Sequence, residues 1–128
     1  MSQPQVHALI IDDSRAMRAI LERILSKLGF KTSEAANGLE GLQRLAEHDD
    51  ISIALVDWNM PEMNGYEFVK AVRADKANYD LWLMMVTTET EMSRVVMAMA
   101  AGANEYVMKP FTDDVIIDKL RLLGLVAA

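Results

Sequence analysis

The sequence predicts an α/β domain: a doubly wound, five-stranded parallel sheet carrying five helices on its two faces. Two observations lead there. Five short apolar runs, Val6–Ile11, Phe30–Ala35, Ile53–Asp57, Leu81–Val86 and Glu105–Met108, have the length and flanks of buried strands. A helix-period segment follows each run, and strict strand–helix alternation calls for right-handed crossovers and parallel pairing. The length of 128 residues fits a single domain, 1–128 with a core over about 6–124, able to bury that core without covalent staples.

The helices follow in order. Met17, Ile20, Leu21, Ile24, Leu25 and Leu28 form one apolar stripe, and Gly29 suits its C-terminal stop. Asn37 is placed to cap a second helix carrying Leu39, Leu42 and Leu45. The third follows Gly65, with Phe68, Val69 and Val72 inward, and Asn64 can cap it. The fourth runs over Glu91–Ala101 and ends at Gly102. The fifth follows Thr112, with Asp113 and Asp114 in its first turn, where the helix dipole favours acids. The fourth is apolar all round from Val95 to Ala100, so one of its faces must lie outside the core. Methionine-rich apolar surface adapts to partners, whereas Met84 and Met85 read as core filler.

Composition removes several functions. There is no cysteine, hence no disulfide and no thiolate nucleophile or ligand. A net charge of -6 disfavours nucleic acid as a partner. The start, MSQPQVHALI, lacks the basic segment and cleavage site of a signal peptide, and no apolar stretch spans a membrane. The expectation is a cytoplasmic domain without membrane contact and without an output domain of its own, acting through a partner surface.

The polar residues gather at strand ends: Asp12 and Asp13 after the first, Asp57 closing the third, Thr87 and Thr88 closing the fourth, Lys109 after the fifth. In a parallel sheet these ends share one edge. Ligands bind there, where the strand order reverses. With strands 1 and 3 adjacent, the three aspartates converge, and Thr87 and Lys109 stand alongside. Three carboxylates and one ammonium leave two negative charges, which a divalent cation would relieve. Neither His7 nor His48 falls in this cluster, so all its ligands are oxygens and the ion is a hard one, Mg²⁺. A spare carboxylate beside such an ion and a lysine suits phosphoryl transfer, with the carboxylate as nucleophile.

Four stretches carry a resemblance: IIDDSRAMR (Ile10–Arg18), LVDWNMPEMNGYE (Leu55–Glu67), VTTE (Val86–Glu89) and GANEYVMKPF (Gly102–Phe111). In this order, each at a strand end, they resemble bacterial two-component response-regulator receiver domains over the whole chain, the stand-alone chemotaxis members above all. The flavodoxin-like strand order 2-1-3-4-5 comes with that resemblance and not from the spacing. The resemblance implies that Asp57 is the phosphoacceptor. Asp13, Asp57 and the backbone carbonyl of Asn59 would bind Mg²⁺, with Asp12 helping chiefly through water. Lys109 would bind the phosphoryl group, and Thr87 would hydrogen-bond it, flanked by the backbone of Thr88. Tyr106 would turn inward in response, and the Lys109–Pro110 bond would be cis. The donor would be a phosphohistidine on a sensor kinase, or a small acyl phosphate. A helix 4/strand 5/helix 5 face including Val95, Met99, Tyr106, Met108, Lys119 and Leu122 would meet a downstream protein such as a flagellar motor switch component.

Two positions depart from the family. Thr88 stands where Ala or Gly is usual, and its bulk would narrow access to Asp57; Asn64 replaces a common Asp and can cap equally well. Asn59 and Glu89 border the site and would tune the lifetime of the phosphoryl group. Trp58, next to the acceptor, would report Mg²⁺ binding by its fluorescence, over a background from Trp82. Three other functions compete. A metal-dependent phosphatase of the haloacid-dehalogenase type needs D-x-D after its first strand, where this chain has D-D. A flavin binder needs a hydroxyl- and glycine-rich loop where this chain has DDSRAMR. A phosphorelay intermediate, passing the phosphoryl group on to another histidine protein, fits the same residues as a switch does.

Overall fold

The computed structural model describes residues 5–127; the expected span of 1–128 thus includes 1–4 and 128, which lie outside the described residues. Strands and helices alternate: β1 (His7–Ile11), α1 (Arg15–Lys27), β2 (Lys31–Ala35), α2 (Gly38–Glu47), β3 (Ile51–Val56), α3 (Gly65–Ala74), β4 (Trp82–Thr87), α4 (Met92–Ala101), β5 (Glu105–Met108) and α5 (Asp113–Leu122), with a short 3-10 turn at Lys76–Asn78 before β4. All pairings are parallel, in the order β2-β1-β3-β4-β5. This is the expected doubly wound sheet.

Side-chain alternation along the strands builds a core on each face. Leu9, Ile11, Ala54, Val56, Leu83 and Met85 point to one side, where Phe68, Val69 and Val72 of α3 and Ala98 of α4 cover them and Leu42 and Leu45 of α2 pack on. Ala8, Ile10, Ile53, Leu55, Met84 and Val86 point to the other, under Leu21, Ile24 and Leu25 of α1 and Ile116 and Leu120 of α5. Burial on both faces is why β1, β3 and β4 read as continuous apolar runs. Each such side chain, Phe68 for example at 0% exposure, is worth about 1.5–3 kcal/mol in water-to-core transfer.

The helix ends explain most departures from the expected boundaries. Phe30 lies outside β2 because it completes the end of α1. Gly29 takes φ 85°, its N–H donates to the Ser26 carbonyl, and the Phe30 N–H reaches back to the Leu25 carbonyl. Phe30 then tucks into the core beside Leu25. The caps at Asn37 and Asn64 are as expected. Asn37 Oδ1 accepts from the Glu40 N–H at 2.9 Å, while Asn64 and Glu67 exchange side-chain-to-backbone bonds at 2.8 and 3.0 Å. Of the residues of α4 only Ala98 is buried, and Met92, Val96, Met97 and Met99 are exposed, so the apolar helix does turn a face outward.

One glycine ties the fold to the strand ends. Gly65 starts α3 against the chain just after β3, and its N–H donates to the Trp58 carbonyl at 2.9 Å. A Cβ at Gly65 would collide with the backbone carbonyl of Asp57. Backbone cannot move aside as a side-chain tip can. Gly65→Ala is therefore expected to cost about 2 kcal/mol, within the usual range for overpacking. A urea titration should show a lower midpoint at unchanged slope; an unchanged midpoint would mean that α3 does not need this approach.

Candidate functional site

The C-terminal ends of β1, β3, β4 and β5 bring the expected polar residues together. The chain leaves β1 through Asp12, whose N–H donates to the Ala35 carbonyl and whose carbonyl accepts the Arg18 guanidinium at 2.6 Å. Asp12 Oδ1 accepts the Ser14 N–H at 2.9 Å, and Ser14 caps α1 through the Met17 N–H. Capping thus belongs to Ser14, and Asp12 shapes the turn that leads into it. Asp12 is buried and Asp13 exposed. Asp57 lies one residue past β3, where it was expected to close the strand. Its N–H still donates to the Ile11 carbonyl at 2.9 Å, but its own Oδ1 takes the Trp58 N–H at 2.8 Å and curls the chain out of the sheet.

Carboxylate oxygens of Asp12, Asp13 and Asp57 lie within 4.8 Å of one another. Lys109 follows β5, its N–H donating to the Thr87 carbonyl, and its Nζ stands 2.7 Å from Asp12 Oδ2 and 3.6 Å from Asp57 Oδ2. The Lys109–Pro110 bond is cis, as expected. Thr87, the last residue of β4, is wholly buried, whereas Thr88 beside it is exposed. Asn59 is exposed two residues beyond Asp57.

The electrostatics single out Asp57. Its pKa is raised, chiefly by burial and further by the charge of Asp12. The Lys109 ammonium, the Thr87 hydroxyl and the Trp58 N–H oppose the rise without cancelling it. Two buried carboxylates within 4.8 Å repel by about 3 kcal/mol at an effective dielectric of about 20. Lys109 answers one charge of the three. The donor set is oxygen throughout, compact and still short of positive charge, which fits a hard divalent ion such as Mg²⁺.

Thr87, Glu89 and Tyr106 form a second group. Thr87 Oγ1 accepts the Glu89 N–H at 3.2 Å, and the Tyr106 hydroxyl donates to the Glu89 carbonyl at 2.7 Å. Burial, then the charges of Glu89 and Asp57, push the Tyr106 phenol up, so it keeps the proton it donates. Val95 is half-buried; Met99, Met108 and Leu122 are 40, 45 and 73% exposed. Lys119 is tied to Glu105 at 2.9 Å, which binds α5 to β5.

Sequence reasoning missed several neighbours. Trp58 stacks on Tyr66 at 5.4 Å between ring centroids, and the Arg94 guanidinium lies 5.5 Å over its ring. Arg94 starts on a different helix, so no local spacing could announce it. Arg18 was legible only as part of a motif, although its i+6 distance from Asp12 matches a side chain reaching back over the first turn of a helix.

Comparison with known proteins agrees with this geometry. Residues 8–121 match the response regulator receiver domain family. The chemotaxis protein CheY homolog of Campylobacter jejuni is 45% identical over 113 residues, 88% of this chain and 87% of that one. Chemotaxis protein CheY1 of Helicobacter pylori is 42% identical over 116 residues, covering 90 and 94%. The crystal structure of chemotaxis response regulator CheY4 of Vibrio cholerae superposes with a TM-score of 0.86 at 31% identity, over 93% of this chain and 98% of that one.

The raised pKa of Asp57 has a measurable sign. Between the ordinary value near 3.8 and the raised one, the folded chain keeps a proton that the unfolded chain has lost. Stability therefore falls as pH rises through that window, and the whole penalty stands at neutral pH. Asp57→Asn should be more stable than the parent at pH 7 by about 1 kcal/mol, the size common when a functional site is relieved. The gain should vanish below pH 3.8. Added Mg²⁺ should raise the melting temperature of the parent more than that of the variant. A variant less stable at pH 7 would contradict this account.

Proposed function

The chain belongs to the response regulator receiver domain family, and from that premise we propose that it is a phosphorylation switch in which Asp57 accepts a phosphoryl group from a sensor kinase and the α4/β5/α5 face carries the signal onward. The observation that carries this reading is the pairing at Asp57: a buried carboxylate with one oxygen held by the Trp58 N–H and the other open beside Lys109.

The open Oδ2 is the nucleophile. It attacks phosphorus in line with the leaving group. A P–O bond forms to Asp57 as the P–N bond to the kinase imidazole breaks, and the imidazole departs with the electron pair and takes a proton. The Lys109 ammonium and the Thr87 hydroxyl are placed to meet the phosphoryl oxygens, which gather charge in the transition state. Asp12, Asp13, Asp57 and the Asn59 carbonyl are the groups that would hold Mg²⁺. When bound, the ion neutralises their excess charge and that of the incoming phosphoryl group. Thr88, exposed beside Thr87, borders the approach of a small donor.

The signal leaves through Glu89. Its N–H is held by Thr87 and its carbonyl by Tyr106, so the loop between β4 and α4 is tied at one residue from both sides. As the Thr87 hydroxyl moves to donate to the phosphoryl group, the 3.2 Å bond that its oxygen accepts from the Glu89 N–H is strained. The loop, Tyr106 and the start of α4 then settle again together. The exposed apolar side chains at Met99, Met108 and Leu122 offer the surface that changes. The similarity to chemotaxis proteins points to a chemotaxis kinase upstream and a flagellar motor switch component downstream, both in the cytoplasm. Among the described residues no helix is long and apolar enough to cross a membrane.

The chemistry is tested by intact mass after incubation with acetyl phosphate and Mg²⁺. One phosphate-sized gain is expected in the parent and none in Asp57→Ala. Equal labelling of both would remove Asp57 from the mechanism. The surface is tested separately. Met99→Glu and Met108→Glu should each weaken binding of the phosphorylated protein to its downstream partner about tenfold, roughly 1.4 kcal/mol, and leave the phosphorylation rate unchanged. Loss of phosphorylation in both variants would place these side chains in the core of the switch.

A further inference from the structure

The edge of the sheet opposite the carboxylates carries a second cluster of ligating side chains. His7 opens β1 and is wholly buried, a polar ring at the head of an apolar strand. His48 caps the C-terminus of α2, and Asp50 stands directly before β3. One ligand atom from each lies within 4.8 Å of the other two. His7 Nδ1 is 2.7 Å from Asp50 Oδ1, and its Nε2 is 2.7 Å from Ser33 Oγ on β2. The rings of His7 and His48 meet edge to face, 5.0 Å between centroids at 78°.

We propose that His7 Nδ1, His48 and Asp50 Oδ1 form a binding site for a borderline divalent cation of the zinc class, separate from the phosphoacceptor site.

The geometry matches such an ion. Tetrahedral zinc with Zn–N distances of about 2.0–2.1 Å puts the centroids of two imidazole ligands about 5 Å apart. The 2.7 Å contact between His7 and Asp50 needs to open by roughly 0.7 Å to admit the ion, since two ligands of a tetrahedral zinc stand about 3.4 Å apart. Asp50 is half exposed and sits on a loop, so it can retreat. The strand beside it is already irregular. Consecutive residues His7 and Ala8 face Ile51 and Ile53, so Ser52 is skipped and the start of β3 is bent where Asp50 leaves it.

Ser33 supplies the outer partner that metal-bound histidines nearly always have. With Nδ1 protonated, it donates to Asp50 Oδ1 while Nε2 accepts from the Ser33 hydroxyl; with a metal ion on Nδ1, Nε2 carries the proton and donates to Ser33 Oγ, which accepts equally well. A proton can fill the place, and a metal ion competes for it. The chain has two histidines and no cysteine, so both of its imidazoles meet in this one cluster. Imidazole nitrogen selects zinc, copper or nickel over magnesium. Lys31 Nζ stands 3.4 Å from the other oxygen, Asp50 Oδ2. It leaves Oδ1 free, but its charge lowers the affinity, and we expect a dissociation constant of roughly micromolar order.

The test is a Zn²⁺ titration of the full chain in saturating Mg²⁺, followed by NMR of the histidine rings. Both imidazoles should shift together and saturate at one equivalent. His48→Gln and Asp50→Asn should each weaken binding at least tenfold, while Asp57→Asn should leave the histidine response unchanged. The spectra themselves report whether each variant is folded. Histidine signals that stay still up to millimolar Zn²⁺, or an undiminished response in the two variants, would overturn the site. So would a response abolished by Asp57→Asn, which would place the ion at the carboxylates.

Discussion

The structure depends on a parallel sheet that sends several strand ends to one edge, each ending in a charged or hydroxyl side chain. Because the apolar strands need both faces covered, the chain can change direction only at the two edges. The carboxylates of Asp12, Asp13 and Asp57 are therefore pressed together by the same constraint that buries Ile11 and Val56. Lys109 offsets part of this charge at the cost of one strong pairing with Asp12, and it stays 3.6 Å from Asp57. The remaining imbalance is what the proposed cation would relieve.

Much of this was legible in the sequence, for identifiable reasons. The central strands β1, β3 and β4 are buried on both faces, so their apolar runs stood out and an aspartate or threonine at their ends stood out against them, whereas the partly exposed β2 and β5 carry polar residues of their own. Capping chemistry is local, and Asn37 and Asn64 announced their helices correctly. The strand order was not legible from spacing. Alternation allows several orders, and only the resemblance selected one. Contacts between elements were also hidden. Arg94 over Trp58 joins α4 to the loop after β3, and Gly65 against the Asp57 carbonyl looks in sequence like any glycine at a helix start.

Boundary errors had local causes of the same kind. Phe30 has strand-forming character, but the left-handed turn at Gly29 claims its N–H for α1. Asp57 follows an apolar strand without a break in pattern, yet its side chain captures the next N–H and ends the strand early. In both places a single hydrogen bond at an element's end overrode the propensity of the residue that made it, a scale of effect that periodicity does not resolve.

Glu89 shows how such small contacts become a switch. Neither of its two backbone bonds is strong; each is worth about 1 kcal/mol net. Their importance lies in what they share. Thr87 is buried in β4, and its hydroxyl serves two sides: the oxygen accepts the Glu89 N–H while the O–H is available to donate toward Asp57. Tyr106 is anchored in β5 and holds the carbonyl of the same residue. In the proposed switch, a small shift of the Thr87 hydroxyl toward a phosphoryl group at Asp57 would be felt at Glu89 and so at Tyr106, without any rearrangement of the core. α4 is the element able to follow. It buries only Ala98, has no side-chain cap at its start, and presents methionines that tolerate new neighbours. In the proposed switch the rigid sheet would confine the motion to one loop and one loosely held helix, and so carry an event at Asp57 to the α4/β5/α5 face.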